Sequence, residues 1–173
     1  LSELTGRPVG TADVRELVRL VLLPDDRPAQ ASVQALRQRG VPVETLMLDL
    51  LTPTARQLGD LWLQDQVSFA EVTVSVGRLQ QLLREISPGM PVTPQAGPRP
   101  LRVLLLPCPG EQHTFGLVMV SEFFLSAGWD VDGGPAAPID ACASVEREWF
   151  DVVGFSLAGE TNLPRLAPAM AAL

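Results

Sequence analysis

The stretch "LRVLLLPCPGEQHTFG", residues 101–116, decides the fold of the second half of this 173-residue chain. Its continuous apolar run, residues 101–106, is typical of a β-strand that is buried on both faces of a sheet. The turn that follows carries His113, the one histidine of the sequence, and leads into a segment with helical character. A buried strand, a turn and a helix in this order predict one unit of a parallel α/β sheet.

Two more strands, each followed by a helical segment, continue the pattern at residues 129–134 and 150–156. The alternation predicts an α/β fold, a Rossmann-like (flavodoxin-like) parallel domain. Ligands of such sheets bind outside the carboxyl ends of the strands, where both His113 and Ser156 fall. A complete domain of this type normally has one or two further strands, so we expect the last strands of the domain to follow residue 173.

Residues 11–87 predict four helices with short connections, and therefore an N-terminal four-helix bundle. Thr11 is the expected N-cap of the first helix, and Ser68 that of the last. Pro53 lies inside the long third helix, where we expect a kink. The apolar stripe expected on the last helix consists of Phe69, Val72, Val76, Leu79, Leu82 and Ile86.

A proline-rich segment, residues 88–100, separates the two halves. Residues 87–100 hold five prolines and two glycines, which exclude a helix and disfavour a central strand. The predicted organisation is therefore a helical domain at 11–87, a linker at 88–100 and a Rossmann-like domain at 101–173.

The composition excludes several classes of function. The net charge is −7 and the arginines are scattered, so direct binding to nucleic acid is not expected. No apolar stretch is long enough to cross a membrane, and the two cysteines form no disulfide framework, which favours a cytoplasmic protein. Phosphate-binding loops, dinucleotide fingerprints and nucleophile elbows are absent, so we expect no enzyme activity.

The spacing Glu111-x-His113-x-x-Gly116 resembles the Asp-x-His-x-x-Gly signature of cobalamin-binding domains, with Glu in the first position. The resemblance implies that His113 binds cobalt as its lower axial ligand and that Glu111 hydrogen-bonds the other imidazole nitrogen. Gly116 and Ser156, which follows His113 by 43 residues, would then line the pocket of the displaced nucleotide tail, and Thr114 would be a further cofactor-binding residue. Taken alone, a histidine such as His113 is more often a surface or capping residue of a turn.

The first half resembles the four-helix cap of the same family, most clearly over residues 55–80. That resemblance implies that Trp62 covers the upper face of the corrin ring. Light-sensing members have a Glu-His pair where this chain has Val72 and Thr73, so the resemblance implies that these two residues contact the cofactor without supplying an upper histidine ligand. The closer resemblance is to the AerR/PpaA group of antirepressors, which lack a DNA-binding domain and act by binding a repressor.

These resemblances imply a light- or redox-responsive regulatory protein that binds cobalamin and contacts a repressor-type transcription regulator. The hydroxo, methyl and adenosyl forms of the cofactor all remain open. Two alternatives also stay open: a corrinoid carrier of methyl groups for a methyltransferase, and a haem-binding redox or gas sensor. The haem alternative draws on the Cys108-Pro109 dipeptide, although a cysteine that ends a buried strand is usually a packing residue.

Overall fold

The chain forms two compact units, which divide between Met90 and Pro91. The computed structural model describes residues 8–95, 97–134 and 141–173. The division falls inside the proline-rich segment. Among the described residues, no helix is both long and apolar enough to cross a membrane.

The first unit is helical. Its elements are α1 (Thr11–Val21), α2 (Arg27–Gln38), α3 (Val43–Thr45), a π-helical turn (Leu46–Leu51), α4 (Thr52–Leu63), α5 (Phe69–Ile86) and a 3-10 turn (Ser87–Gly89). Leucines from several of these helices are fully buried and form the core, among them Leu17, Leu50, Leu58, Leu79 and Leu83. The expectation of an N-terminal bundle is confirmed.

The two predicted N-caps have different outcomes. Ser68 caps α5, because its hydroxyl accepts the Glu71 N–H at 3.2 Å while the Glu71 carboxylate accepts the Ser68 N–H at 2.7 Å. The prediction for Thr11 is wrong, because Gly10 occupies the N-cap position of α1. Asp13 accepts the Gly10 N–H at 2.9 Å, and its negative charge is favoured in the first turn of a helix.

The irregularity expected at Pro53 takes the form of the π-helical turn just before it. Proline has no N–H and cannot donate to the carbonyl four residues earlier. Just before the proline, the backbone N–H of Thr52 donates to the carbonyl of Met47, five residues back, and the Thr52 hydroxyl lies 2.9 Å from the same carbonyl. The i to i−5 spacing of this bond is what makes the turn π-helical.

The second unit alternates strands and helices. Its elements are β1 (Arg102–Pro107), α6 (Phe115–Ser126), β2 (Asp130–Gly133), α7 (Ala141–Arg147), β3 (Val152–Ser156), a 3-10 turn (Glu160–Asn162) and α8 (Leu163–Ala171). The sheet has the order β2-β1-β3 with both pairs parallel. Val103, Leu104, Leu105 and Leu106 of the central strand are all buried, as the apolar run predicts. The Rossmann-like prediction is confirmed.

Candidate functional site

The carboxyl ends of β1 and β3 lie side by side and bring two loops together. Pro107 pairs with Ser156 at the end of the register, and the Cys108 N–H donates to the Ser156 carbonyl at 2.9 Å. The turn that contains His113 follows β1 directly. The structure therefore places His113 and Ser156 at the edge of the sheet that the sequence predicts for a ligand.

Glu111 organises this turn with one of its carboxylate oxygens. Oε1 accepts the backbone N–H groups of Gln112 and His113, each at 2.9 Å, and lies 2.7 Å from His113 Nδ1. The Glu111 side chain is only 2% exposed, whereas that of His113 is 77% exposed. A buried carboxylate thus holds an imidazole that projects into solvent.

The other oxygen of Glu111 reaches the loop after β3. Oε2 accepts the Ala158 N–H at 3.1 Å, so a single carboxylate joins the two loops. Burial raises the pKa of Glu111, but donors from His113, Ala158 and Asn162 outweigh it and lower the pKa to about 2. Glu111 is therefore ionised at neutral pH.

An ionised Glu111 fixes the tautomer of neutral His113. The carboxylate has no proton to give, so Nδ1 carries the hydrogen and donates it to Oε1. Within the described part of the chain, no hydrogen bond engages Nε2. The lone pair of Nε2 is therefore free for a metal, and a hydrogen-bonded carboxylate raises the basicity of the imidazole as a ligand.

The segment before Glu111 is fastened to the start of α8. Gly110 has φ +85°, and its carbonyl accepts a hydrogen bond from the Asn162 side chain at 3.3 Å. The Cys108 thiol lies 3.5 Å from the Asn162 carbonyl, and Cys108 is buried. Arg165 Nη1 lies 3.5 Å from the Pro109 carbonyl. These contacts hold the turn in place.

Two features of this edge suit a bound organic group. Ser156 Oγ is buried and has no hydrogen-bond partner among the described residues, which is unusual for a hydroxyl. A Cβ added at Gly116, in the first turn of α6, would meet no atom within 4 Å. Thr114 occupies the N-cap position of α6 and makes no side-chain cap bond there. The unpartnered hydroxyl of Ser156 and the open space at Gly116 each fit a bound organic group at this edge of the sheet.

In the first unit, an exposed aromatic pair lies where α4 ends and α5 begins. The rings of Trp62 and Phe69 are 6.4 Å apart with an interplanar angle of 59°, and the residues are 43% and 70% exposed. Val72 is half-buried and offers no ligand atom. Thr73 uses its hydroxyl on the Phe69 carbonyl at 2.7 Å. Trp62 and Phe69 therefore form an exposed apolar surface at the connection between α4 and α5.

Sequence reasoning missed several of these residues. It assigned Phe69 to the core stripe, but a position in the first turn of a helix, beside a polar connection, is a signal for exposure. Ala158 contributes only its backbone N–H, which no side-chain pattern reveals. Asn162 and Arg165 follow the predicted site residue Ser156 closely in the sequence. Their position after the end of a strand was the signal that could have identified them as site residues.

Three comparisons bear on this arrangement. Residues 14–86 match a family model described as the B12 binding domain, so the resemblance seen in the sequence is matched across most of the first unit. A relative, described as an uncharacterized 20.5 kDa protein in the bchF-crtJ intergenic region of Rhodobacter capsulatus, is 36% identical over 85 residues. That match covers 49% of this chain and 44% of the relative, less than half the length of either.

The whole fold has a counterpart among solved structures. The structure of the Methanosarcina barkeri monomethylamine corrinoid protein matches with a TM-score of 0.70. The match covers 92% of this chain and 76% of that one, at 12% sequence identity. A helical unit followed by a Rossmann-like sheet is thus the fold that the two proteins share.

Proposed function

We propose that this chain binds cobalamin and that His113 is the lower axial ligand of its cobalt. The observation that carries the proposal is the imidazole itself. Its Nδ1 is held by a buried, ionised carboxylate at 2.7 Å, while its Nε2 is unoccupied by the described residues and the side chain is exposed. An imidazole is a suitable ligand for a borderline transition metal, and this geometry leaves it ready to bind.

The other residues of the site would hold the organic part of the cofactor. Ser156 offers a hydroxyl that has no partner among the described residues, and the space beside Gly116 is open. Thr114 lies between His113 and Gly116 at the start of α6. Trp62 would contribute an aromatic face to the corrin, and Val72 and Thr73 of α5 are further proposed cofactor contacts. Bound cobalamin would supply a cobalt centre whose upper ligand changes with light, redox state or alkylation.

The proposal extends to a regulatory, non-enzymatic role in the cytoplasm, exerted by contact with a repressor-type transcription regulator as an antirepressor. The charge of the chain supports action through a protein rather than on DNA. All thirteen basic residues are arginines and the net charge is −7. Arg19, Arg27, Arg99 and Arg102 are each paired with a carboxylate. Such a surface attracts nucleic-acid phosphates poorly.

A corrinoid carrier protein for a methyltransferase is the second candidate, and the fold shared with the Methanosarcina barkeri protein favours it. The haem alternative has weaker support. Cys108 is 1% exposed, and its thiol is directed at the Asn162 carbonyl. A haem iron bound to that sulfur would have to replace this contact with Asn162.

The test of the proposal is cobalt coordination. The full chain is produced with 15N-labelled histidine, loaded with cobalamin, reduced to Co(II) and measured by electron paramagnetic resonance. Coordination by His113 splits the signal into 15N doublets, whereas cobalamin that keeps its own base shows 14N triplets. His113→Ala must lose the doublets, and Gln112→Ala, a change in the same turn, must keep them. Triplets in the wild-type protein would refute the proposal.

Retention of ligands separates the remaining alternatives. The protein is incubated with hydroxo-, methyl- and adenosylcobalamin and with haemin, and desalted before absorption spectra are recorded. A retained corrinoid with no methyl transfer to a methyltransferase supports the regulatory role. Relief of a repressor's DNA binding by the loaded protein, in a mobility-shift assay, would then test that role directly.

A further inference from the structure

The positive charges of the second unit are unevenly placed. Its four arginines are Arg99, Arg102, Arg147 and Arg165. Arg99 pairs with Asp151 at 3.0 Å, and Arg102 pairs with Asp132 at 2.8 Å, both at the amino ends of the strands. Arg147 lies in the last turn of α7, which leads back to that same end. In the described part of this unit, Arg165 is thus the one cation at the carboxyl edge of the sheet.

Arg165 lies directly against the turn that carries His113. It is the third residue of α8, and its Nη1 lies 3.5 Å from the Pro109 carbonyl, at the long limit of a hydrogen bond. A Cβ added at Gly110 would stand 1.8 Å from Nη1, so the guanidinium covers this glycine closely. Arg165 is exposed and forms no ion pair with the residues that the structure describes. Its charge is available to an outside anion.

From this placement we infer that Arg165 binds the phosphodiester of a corrinoid's nucleotide tail, and so selects corrinoids that carry one. The inference rests on the proposed function. In the proposed function, His113 replaces the cofactor's own base, and the displaced tail is held by residues beside the turn between β1 and α6. The tail carries one negative charge, on its phosphodiester, and a guanidinium fork matches two phosphate oxygens.

Ser156 provides a second donor for the same tail. Its carbonyl is bonded to the Cys108 N–H, while Pro109 and Gly110, the next two residues, contact Arg165. Ser156 and Arg165 therefore both contact one short segment, residues 108–110. Hydrogen bonds to charged groups are about twice as strong as neutral ones, so loss of the guanidinium should weaken phosphate binding about tenfold or more.

The experiment uses a pair of ligands that differ only in the phosphate. Cobinamide and cobinamide phosphate both lack the nucleotide base, so His113 can bind their cobalt without competition. Affinities for the full chain are measured by absorption titration for the wild-type protein, Arg165→Gln and Arg165→Lys. Arg147→Gln, at the other end of the sheet, is the matched control. Urea unfolding verifies that each variant is folded.

The wild-type protein and Arg147→Gln should bind cobinamide phosphate about tenfold more tightly than cobinamide. That preference should fall to about one in Arg165→Gln and be intermediate in Arg165→Lys, which keeps the charge but loses the fork. The inference is overturned if Arg165→Gln keeps the preference for cobinamide phosphate, or if it loses affinity equally for both ligands. Neither result contradicts the proposed function, cobalamin binding through His113. A wild-type protein that binds no corrinoid overturns both the inference and the proposed function.

Discussion

Glu111 Oε1 lies 2.7 Å from His113 Nδ1, although the Glu111 side chain is only 2% exposed and the His113 side chain is 77% exposed. The pair thus combines a fixed, buried acceptor with a ring that is open to solvent. Oε2 of the same carboxylate holds the Ala158 N–H, so the orientation of the imidazole depends on both loops at this edge of the sheet.

The ionised form of Glu111 should make stability depend on pH. Its pKa is lowered from 4.5 to about 2, so its contribution is complete above about pH 4.5 and is lost as the pH falls towards 2. Glu111→Gln should lower the free energy of unfolding by roughly 1–3 kcal/mol near neutral pH. Urea unfolding followed by circular dichroism, repeated across this pH range, measures the difference between the two proteins.

The difference between wild type and Glu111→Gln should shrink steadily as the solution is acidified. Glu160→Gln, on the exposed loop after β3, is the control and should show no such trend. A difference that stays constant down to the lowest pH would mean that Glu111 is not held as its ion.

Gly116→Ala should separate cofactor binding from folding. A Cβ at this position meets no atom within 4 Å, and alanine is favoured over glycine in a helix by up to about 1 kcal/mol. The variant should therefore unfold at the same or a higher urea concentration. Its affinity for cobalamin should fall, because the methyl group fills space that the tail needs. Unchanged affinity in an absorption titration would place the tail elsewhere.

Trp62→Ala should change the environment of the cofactor more than the stability of the helical unit. The residue is 43% exposed and its ring contact is with another exposed ring, so the free energy of unfolding should change by only about 1 kcal/mol. Displacement of the upper ligand by cyanide, followed by absorption, should become faster. Leu63→Ala, a more exposed neighbour, is the control. Equal exchange rates in all three proteins would remove Trp62 from the site.

Arg78→Gln should destabilise the first unit strongly. The Arg78 guanidinium donates to the carbonyls of Val21, Leu23 and Pro24, where α1 ends and its last carbonyls lack helical partners. Loss of this charged cap should cost roughly 2–4 kcal/mol in unfolding free energy. Arg84→Gln, an exposed change on the same helix, should cost less than about 0.5 kcal/mol. Similar midpoints for the two variants in urea would show that the cap contributes little.

The sequence predicted the strands of the second unit well because each is short, is bounded by turns and alternates with a helical segment, and because the central strand β1 carries a buried apolar run. The run before Pro107 becomes the central strand, and a central strand must be apolar on both faces. The geometry of Glu111 and His113 was predictable only from the resemblance, since two residues in a turn can face many ways. What fixes them is the Ala158 N–H, a backbone group supplied by a loop 47 residues away.

The helical unit shows a different limit. Periodicity placed Leu79, Leu82 and Ile86 in the core correctly, yet the same period extended the stripe to Phe69, which is 70% exposed. Periodicity identifies one face of a helix but does not say how far along the helix the core extends. Nor could it show that the backbone before Pro53 widens to a π turn, because that depends on whether the Thr52 N–H donates four or five residues back.

The hydrogen bonds that order the turn between β1 and α6 have a consequence for the kinetics of ligand binding. The loop is already ordered by Glu111, Asn162 and the backbone around Gly110, so little conformational entropy remains to be lost when a metal arrives. We therefore expect the slow step of association to be the release of cobalamin's own base from its cobalt. The rate of uptake should then be lower for corrinoids whose own base binds the cobalt more strongly, because the protein site needs no rearrangement before it binds.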